Sequence, residues 1–181
     1  MIGITKENDE VLYSTKGVVA VSESDLQELK TLSLLNKRKR IRLCAHRDPS
    51  EKLHDMIIVH HKDCYVRPHK HESRAESITI LEGEADLILF KDDGSIIKVI
   101  RMGELRTKKV LFYRISEPIY HMLIIRSEFL TFHEATEGPF NKGDTTFPEW
   151  SPVEDSRKLI DFMDSIEKNI VSEIHKLPLE I

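Results

Sequence analysis

The chain has 181 residues, 32% of them charged and 7% aromatic, with a formal net charge of −4. That length supports one domain with a real core plus end extensions, and the slight acidity gives no overall surface for nucleic acid or an acidic membrane. No apolar run is long enough to cross a bilayer, and the opening residues MIGITKENDE lack the basic start and apolar middle of a signal peptide; a cytoplasmic setting is the expectation.

Residues 1–21 offer one strand-like piece, 17–21. Ser22 or Ser24 can cap a helix over about 25–35, where Leu26, Leu29, Leu32 and Leu35 recur at three-residue steps and form one buried stripe. The stretch 37–47 is the most basic. Lys37, Arg38, Lys39, Arg40, Arg42 and Arg47 read either as a solvated helix end or, through an Arg fork, as a site for a phosphate or carboxylate. No aromatic residues interleave them as on a nucleic-acid surface. Cys44 and Cys64 stand in unrelated contexts and read as reduced thiols.

From Asp55 the chain reads as consecutive strands. The first covers 56–61 and the second 64–71, in which Tyr65, Arg67, His69 and His71 share one parity and so, unless Pro68 inserts a bulge, one face. A polar return at 72–75 leads to a strand starting at Glu76, with Ile78 and Ile80 deeper on its inward side. Gly83 and Glu84 turn the chain into 85–90. Asp92-Asp93-Gly94 is a hairpin signal answered by 96–100. Strands at 107–115, 120–125 and 129–134 follow. Roughly eight short strands with no helix between them predict a mainly β fold, a jelly roll or similar double-layered barrel. Residues 137–150 read as an ordered loop over the barrel. A helix over about 154–175 carries Leu159, Phe162, Met163, Ile166, Ile170 and Ile174 as its apolar stripe, packing on the barrel or on a partner subunit. The expected organisation is one domain overall: a strand-and-helix extension over 1–40, the barrel over 41–136, and a covering loop and C-terminal helix over 137–181.

The stretch PHKHESRAESITILEG, 68–83, carries the chemistry. His69 and His71 lie two apart on one face, and Glu76 on the next strand returns beside them. Two imidazoles and a carboxylate converging on one point can hold a divalent transition metal. His121 is the candidate fourth donor. Taken singly, each of these residues reads as a solvated surface group; the pattern His-x-His, four residues, Glu, six residues, Gly83, alternating strands and a later His is more specific.

That pattern resembles the first sequence motif of the cupin superfamily, with Gly83 as its closing glycine and Asp63 where its opening glycine stands. In SEPIYH, His121 matches the second motif, whose Pro and Gly are absent. More narrowly, the chain resembles the WbuC family of cupin-fold metalloproteins, on the RKRIRLCAHRD block, YVRPHKHESRAESITILEG, FKDDGSI, EATEGPF and FPEWSP. The resemblance implies a cupin jelly-roll barrel, a metal held by His69, His71, Glu76 and His121, and a setting in bacterial surface polysaccharide biosynthesis. It supplies no substrate. Barrels of this kind pair through strand edges, so a homodimer with the N-terminal segment contributing is expected.

Three His and one Glu leave open positions on iron, manganese or nickel for a bidentate ligand, whereas zinc can close the same set tetrahedrally. The first functional reading is an enzyme acting on a sugar, sugar-nucleotide or keto acid by isomerase, epimerase or oxygenase chemistry, with the metal polarising a carbonyl. Tyr65 and Arg67 are its candidate pocket residues, and His60, His61 and His133 its weaker candidates for a general base. The second is a non-catalytic, metal-stabilised module that binds a small ligand. The third is a metal-free sugar epimerase, against which the intact His-x-His and Glu spacing argues.

Overall fold

A computed structural model of the chain describes residues 3–176, with side chains for all of these except Lys142 and 173–176. The chain opens with a hairpin: β1 (Ile4–Lys6) pairs antiparallel with β2 (Val11–Ser14), and β2 runs parallel to β3 (Arg40–Cys44). The strand expected at 17–21 does not form. Val18 there is 83% exposed, whereas the alternation of VLYS puts Leu12 and Ser14 inside, so β2 rather than 17–21 takes the sheet edge. The segment expected as an extension thus adds strands to the main sheet.

Helix α1 (Glu23–Leu35) begins with a capping box. The Ser22 hydroxyl accepts from the Asp25 N–H, and the Asp25 carboxylate accepts from the Ser22 N–H at 2.9 Å. Ser22→Ala is expected to cost about 1 kcal/mol, read as a fall in Tm of roughly 2–4 °C. Leu29 is fully buried against Leu12, Ile41, Leu43 and Val59, with Leu26 and Leu32 beside it. Leu35 is exposed, against expectation. Steps of three fall short of the 3.6-residue turn, so the leucine stripe drifts around the helix and its last member faces solvent.

The barrel follows: β4 (Leu53–His61), β5 (Lys70–His71), β6 (Glu76–Glu82), β7 (Glu84–Phe90), β8 (Ile96–Gly103), β9 (Phe112–Ile115), β10 (Tyr120–Ile125), β11 (Phe129–Glu137) and β12 (Thr145–Thr146). A seven-stranded sheet in the order β1-β2-β3-β4-β11-β6-β9 faces a three-stranded sheet, β10-β7-β8, and β12 pairs with β5. Between the sheets lies a core that includes Met56, Ile58, Ile80, Leu87, Leu130 and Phe132. The expected two-layered jelly roll is what forms. Helix α1 covers the outer face of the large sheet. Helix α2 (Leu159–Lys176) covers the outer face of the small one, where Ile166 and Ile170 pack with Ile88, Phe90 and Met122. Every residue of β10 is therefore buried. Ile174 of the expected stripe lies outside the residues whose side chains are described. No helix among the described residues is long and apolar enough to cross a membrane.

Three boundaries differ from the sequence reading for local reasons. Residues 64–68 form no ladder, because buried Pro68 has no N–H to give one; only His69 and the short β5 pair. The strand expected at 107–115 shortens to β9, because a 3₁₀ turn at Leu105–Thr107 and a left-handed Lys108 (φ 59°) reverse the chain first. Helix α2 starts at Leu159 rather than near 154, since Glu154 and Asp155 are drawn to the end of α1 by ion pairs with Arg38 and Lys37.

Candidate metal centre

The barrel places His69, His71, Glu76 and His121 so that one donor atom from each lies within 4.8 Å of all the others. Three features of the chain produce this. His69 and His121 face each other across a backbone bridge, each N–H donating to the other's carbonyl at 3.0 and 2.9 Å, with ring centroids 4.5 Å apart. His71 follows two residues later in β5. The return over 72–75 then brings Glu76, at the start of β6, to 3.0 Å from His71 Nε2 through Oε2 and from His121 Nε2 through Oε1.

The ring nitrogens are sorted for ligation. His69 Nδ1–H donates to the Arg67 carbonyl, and His121 Nδ1–H to the Ile119 carbonyl, both at 2.9 Å. A carbonyl only accepts, so both rings carry a proton on Nδ1 and turn Nε2 to the cluster. Burial opposes a charge on His121, but Glu76 outweighs it and raises the pKa of that ring. His121 Nε2 is buried, falls outside strict hydrogen-bond geometry, and faces Glu76 Oε1 at 3.0 Å inside the cluster. His71 differs: its Nδ1 meets Thr145 Oγ1 at 3.2 Å and the Arg74 guanidinium at 3.3 Å. Arg74 donates to that Nδ1; to ligate through Nε2, His71 must instead carry a proton on Nδ1, with Thr145 accepting the hydrogen bond and Arg74 giving up its own. Tyr113 donates its hydroxyl to Glu76 Oε1 at 3.1 Å and orients the carboxylate. This donor set, two nitrogens held by carbonyls and a carboxylate held by a phenol, fits a divalent transition metal.

The electrostatics agree with that grouping. Burial, then the neighbouring His121, pulls His69 down to about 3, so it is neutral. Burial would raise Glu76, but the charge of His121 and the bond from His71 hold its carboxylate well below the usual range. Burial and then Glu76 push Tyr113 well up, which keeps it a donor.

A cover closes over the centre. Strand β12 pairs with β5, the Phe147 ring lies 6.1 Å from His69, and Trp150 packs on Phe90 and Tyr120. Tyr65 and Arg67, the candidate pocket residues, reach this cover. The Tyr65 hydroxyl donates to the Pro152 carbonyl at 3.1 Å; Arg67 donates to the Ser151 hydroxyl and carbonyl at 2.9 Å and stacks on Phe147. A cleft of about 570 Å³ lined by Lys52, Ser73, Arg74, Glu137 and Asp144 opens beside it, and Arg74 touches both cleft and His71.

The other named residues scatter. His60 is buried in the core beside Phe132, and its pKa falls well below the usual value through burial. His61 sits against Phe129 and Asp63, and His133 pairs with Asp55. Of the basic stretch, Lys37, Arg38 and Arg40 are engaged by Asp155, Glu154 and Glu10, while Lys39 donates to the Leu34 carbonyl. Cys44 and Cys64 are buried free thiols, pushed up by burial to about 11 and about 12.

Near the centre, Glu134 escaped the sequence reading, and Arg42 entered it only as one cation of the basic stretch. Glu134 lies on the inward parity of β11 with Leu130 and Phe132. It stands opposite Ile78, one diagonal step from Glu76, and burial and then the Glu76 charge raise it to about 7. Arg42 lies on the inward parity of β3, because Ile41 and Leu43 face α1 and Cys44 faces the core. Charged residues at inward positions of otherwise apolar strands were the available signal.

Comparisons with known proteins bear on the fold. Residues 21–102 match a family described as Domain of unknown function (DUF6016), and no curated protein matches the chain. Among solved structures, protein SO0799 from Shewanella oneidensis is similar at TM-score 0.52 and 8% identity, over 76% of this chain and 87% of that one. A salicylate 1,2-dioxygenase variant from Pseudoaminobacter salicylatoxidans, solved with gentisate, is similar at TM-score 0.52 and 9% identity, over 71% of this chain and 37% of that one. The fold is a cupin-type jelly roll. The capsular polysaccharide assembling protein CapF from Staphylococcus aureus overlaps less closely, at TM-score 0.49 and 12% identity, over 63% of this chain and 33% of that one. The chain thus spans most of the Shewanella protein but about a third of the other two.

Proposed function

We propose that this chain is a cupin metalloprotein that binds one divalent transition metal (iron, manganese, nickel or zinc) through His69, His71, Glu76 and His121. The observation that carries the reading is the convergence of four buried or half-buried donors within 4.8 Å, with the Nε2 atoms of His69 and His121 turned to the cluster by carbonyl bonds on Nδ1. When bound, such an ion supplies Lewis acidity to a chelated carbonyl or hydroxyl. This chain's residues do the rest. Tyr113 orients Glu76, Thr145 accepts a hydrogen bond from His71 Nδ1–H, and the cover tethered by Tyr65 and Arg67 keeps bulk water from the centre. Tyr65 and Arg67 in this reading act through the cover rather than on reacting atoms.

The ligand class is a small sugar, sugar-nucleotide or keto acid, and the chemistry isomerase, epimerase or dioxygenase in kind. WbuC-like membership, a cytoplasmic setting and a role in surface polysaccharide biosynthesis belong to the same proposal, supported by the motifs around His69–Gly83. So does a homodimer, supported by the open edges β1 and β9 of the large sheet; sedimentation showing only monomer at micromolar concentration would remove it. The second reading, a closed zinc site bracing a ligand-binding barrel, is favoured by the low exposure of Glu76 and His121.

Elemental mass spectrometry on untagged protein tests the centre. Near-stoichiometric metal in the wild type, lost in His71→Ala, is the expected result. Iron, manganese or nickel directs the search to chelating substrates, zinc strengthens the bracing reading, and no metal in either protein overturns both.

A further inference from the structure

Arg42 stands apart from its basic neighbours. Lys37, Arg38 and Arg40 each meet a carboxylate. Among the described residues Arg42 meets none: its side chain's only hydrogen-bond contact is Nη1 to the Met56 sulfur at 4.0 Å, although it is half-buried and on the inward parity of β3. An Arg fork in such a place, without an acceptor of matching charge, leaves strong donors unused. Glu134 is its counterpart. Its carboxyl is half-buried, faces the same interior, and forms neither an ion pair nor a hydrogen bond among the described residues.

The register fixes how these groups relate. Met56 lies directly opposite Glu134 on β4 and β11, so the guanidinium over Met56 is a neighbour of Glu134 without touching it. Glu134 is in turn a diagonal neighbour of Glu76, about 7–8 Å away in Cα terms. From the metal donors the interior thus runs Glu76, Glu134, Arg42, with Tyr13 and Cys44 in the same row of the sheet as Met56 and Glu134, and Arg42 in the next.

We infer that this line is a ligand subsite, and that the ligand is a sugar acid: a polyhydroxy chain whose carbonyl end sits at the metal donors and whose carboxylate, at the far end, is held by Arg42, with Glu134 facing the carbons between. This deepens the metal-centre reading and rests on it for the chelated end only. Length argues for a sugar chain, because a two-carbon acid held at the metal donors cannot extend past Glu134 to Arg42. Charge argues for a carboxylate rather than a phosphate. One guanidinium balances one negative charge, whereas a phosphate dianion would leave excess charge beside Glu76 and Glu134. Loss of a charge-assisted bidentate bond to a buried group typically costs about tenfold or more in affinity.

Calorimetric titration with glucuronate, glucose and glucose 6-phosphate tests this on manganese-supplemented protein and on protein treated with chelator. Glucuronate is expected to bind at least about tenfold more tightly than either other sugar, and Arg42→Gln to erase that preference while leaving metal content unchanged. Arg42→Lys, which keeps the charge and loses the fork, should retain part of it and serves if Arg42→Gln fails to fold. Equal binding of glucuronate and glucose by the wild type overturns the inference without any variant. So does tighter binding of glucose 6-phosphate, or a glucuronate affinity indifferent to Arg42→Gln. If the protein holds no metal yet still prefers glucuronate through Arg42, the metal reading fails and the carboxylate subsite stands.

Discussion

Glu134→Gln is expected to leave stability nearly unchanged at pH 4 and to raise it by about 3 kcal/mol at pH 8.5 in the metal-free protein. Burial first, and the Glu76 charge second, lift the Glu134 carboxyl from 4.5 to about 7, against the opposing pull of Arg42, Arg74 and His121. A carboxyl whose folded pKa is raised prefers its proton in the folded state. It therefore costs nothing below the unfolded value, and its penalty grows as pH rises from there through the folded one. Each tenfold change in the carboxyl's proton affinity is worth roughly 1.4 kcal/mol, which gives the size of the effect. Gln has the same shape and no charge, so it escapes the penalty at every pH. Urea unfolding of both proteins at the two pH values reads the difference directly. A difference that is flat across pH would mean that Glu134 is solvated rather than enclosed. Adding manganese should shrink the gap at pH 8.5, because a cation one diagonal step away favours the carboxylate.

The interior that makes Glu134 unusual also explains which parts of the molecule were legible beforehand. The quartet was readable because its spacing and strand parity are local: His69 and His71 are two apart, and Glu76 follows a four-residue return. Linking His121 to them took only the motif order, but the backbone bridge that seats it against His69 is non-local. Strand parity failed where Pro68 withheld an N–H, so Tyr65 and Arg67 went to the cover instead of continuing a ladder. Parity was also silent along β10, since α2 buries the outer face of that sheet as thoroughly as the core buries the inner one. An alternating pattern marks a face only when the other face is wet. The β2 strand was missed for another reason. Its partner β3 lies beyond α1 and runs parallel to it, so no turn signal joins the two, and its hairpin partner β1 is only three residues long. Arg42 and Glu134 were visible as charges, but only the sheet order puts them on facing positions of one interior.

Gly83→Ala tests the turn that holds this interior together, and it is expected to cost about 3 kcal/mol or more. Gly83 links β6, which begins at Glu76, to β7 in the opposite sheet, so it is the corner where the chain passes from one layer to the other. Two independent effects add. Its φ of +88° lies in the left-handed region, where a Cβ costs roughly 1–2 kcal/mol. A Cβ there would also collide with the Phe129 carbonyl oxygen and the Ser127 hydroxyl. Neither obstacle yields cheaply. Ser127 Oγ already accepts from the Glu84 N–H at 2.9 Å and donates to the Phe129 carbonyl at 2.6 Å, so moving it breaks the bonds that close the corner, and Phe129 begins the strand that carries Glu134. At a few degrees of Tm per kcal/mol for a domain of this size, the fall should be roughly 6–12 °C. Gly94 supplies the control. It also has positive φ, at +86°, but its Cβ would meet only the Trp150 ring, at 3.0 Å. Gly94→Ala should thus cost less, and should loosen the cover instead of the barrel, seen as a change in Trp150 fluorescence with little change in unfolding. Equal losses from the two substitutions would mean that backbone strain alone sets the cost and that the corner at Gly83 has room to relax.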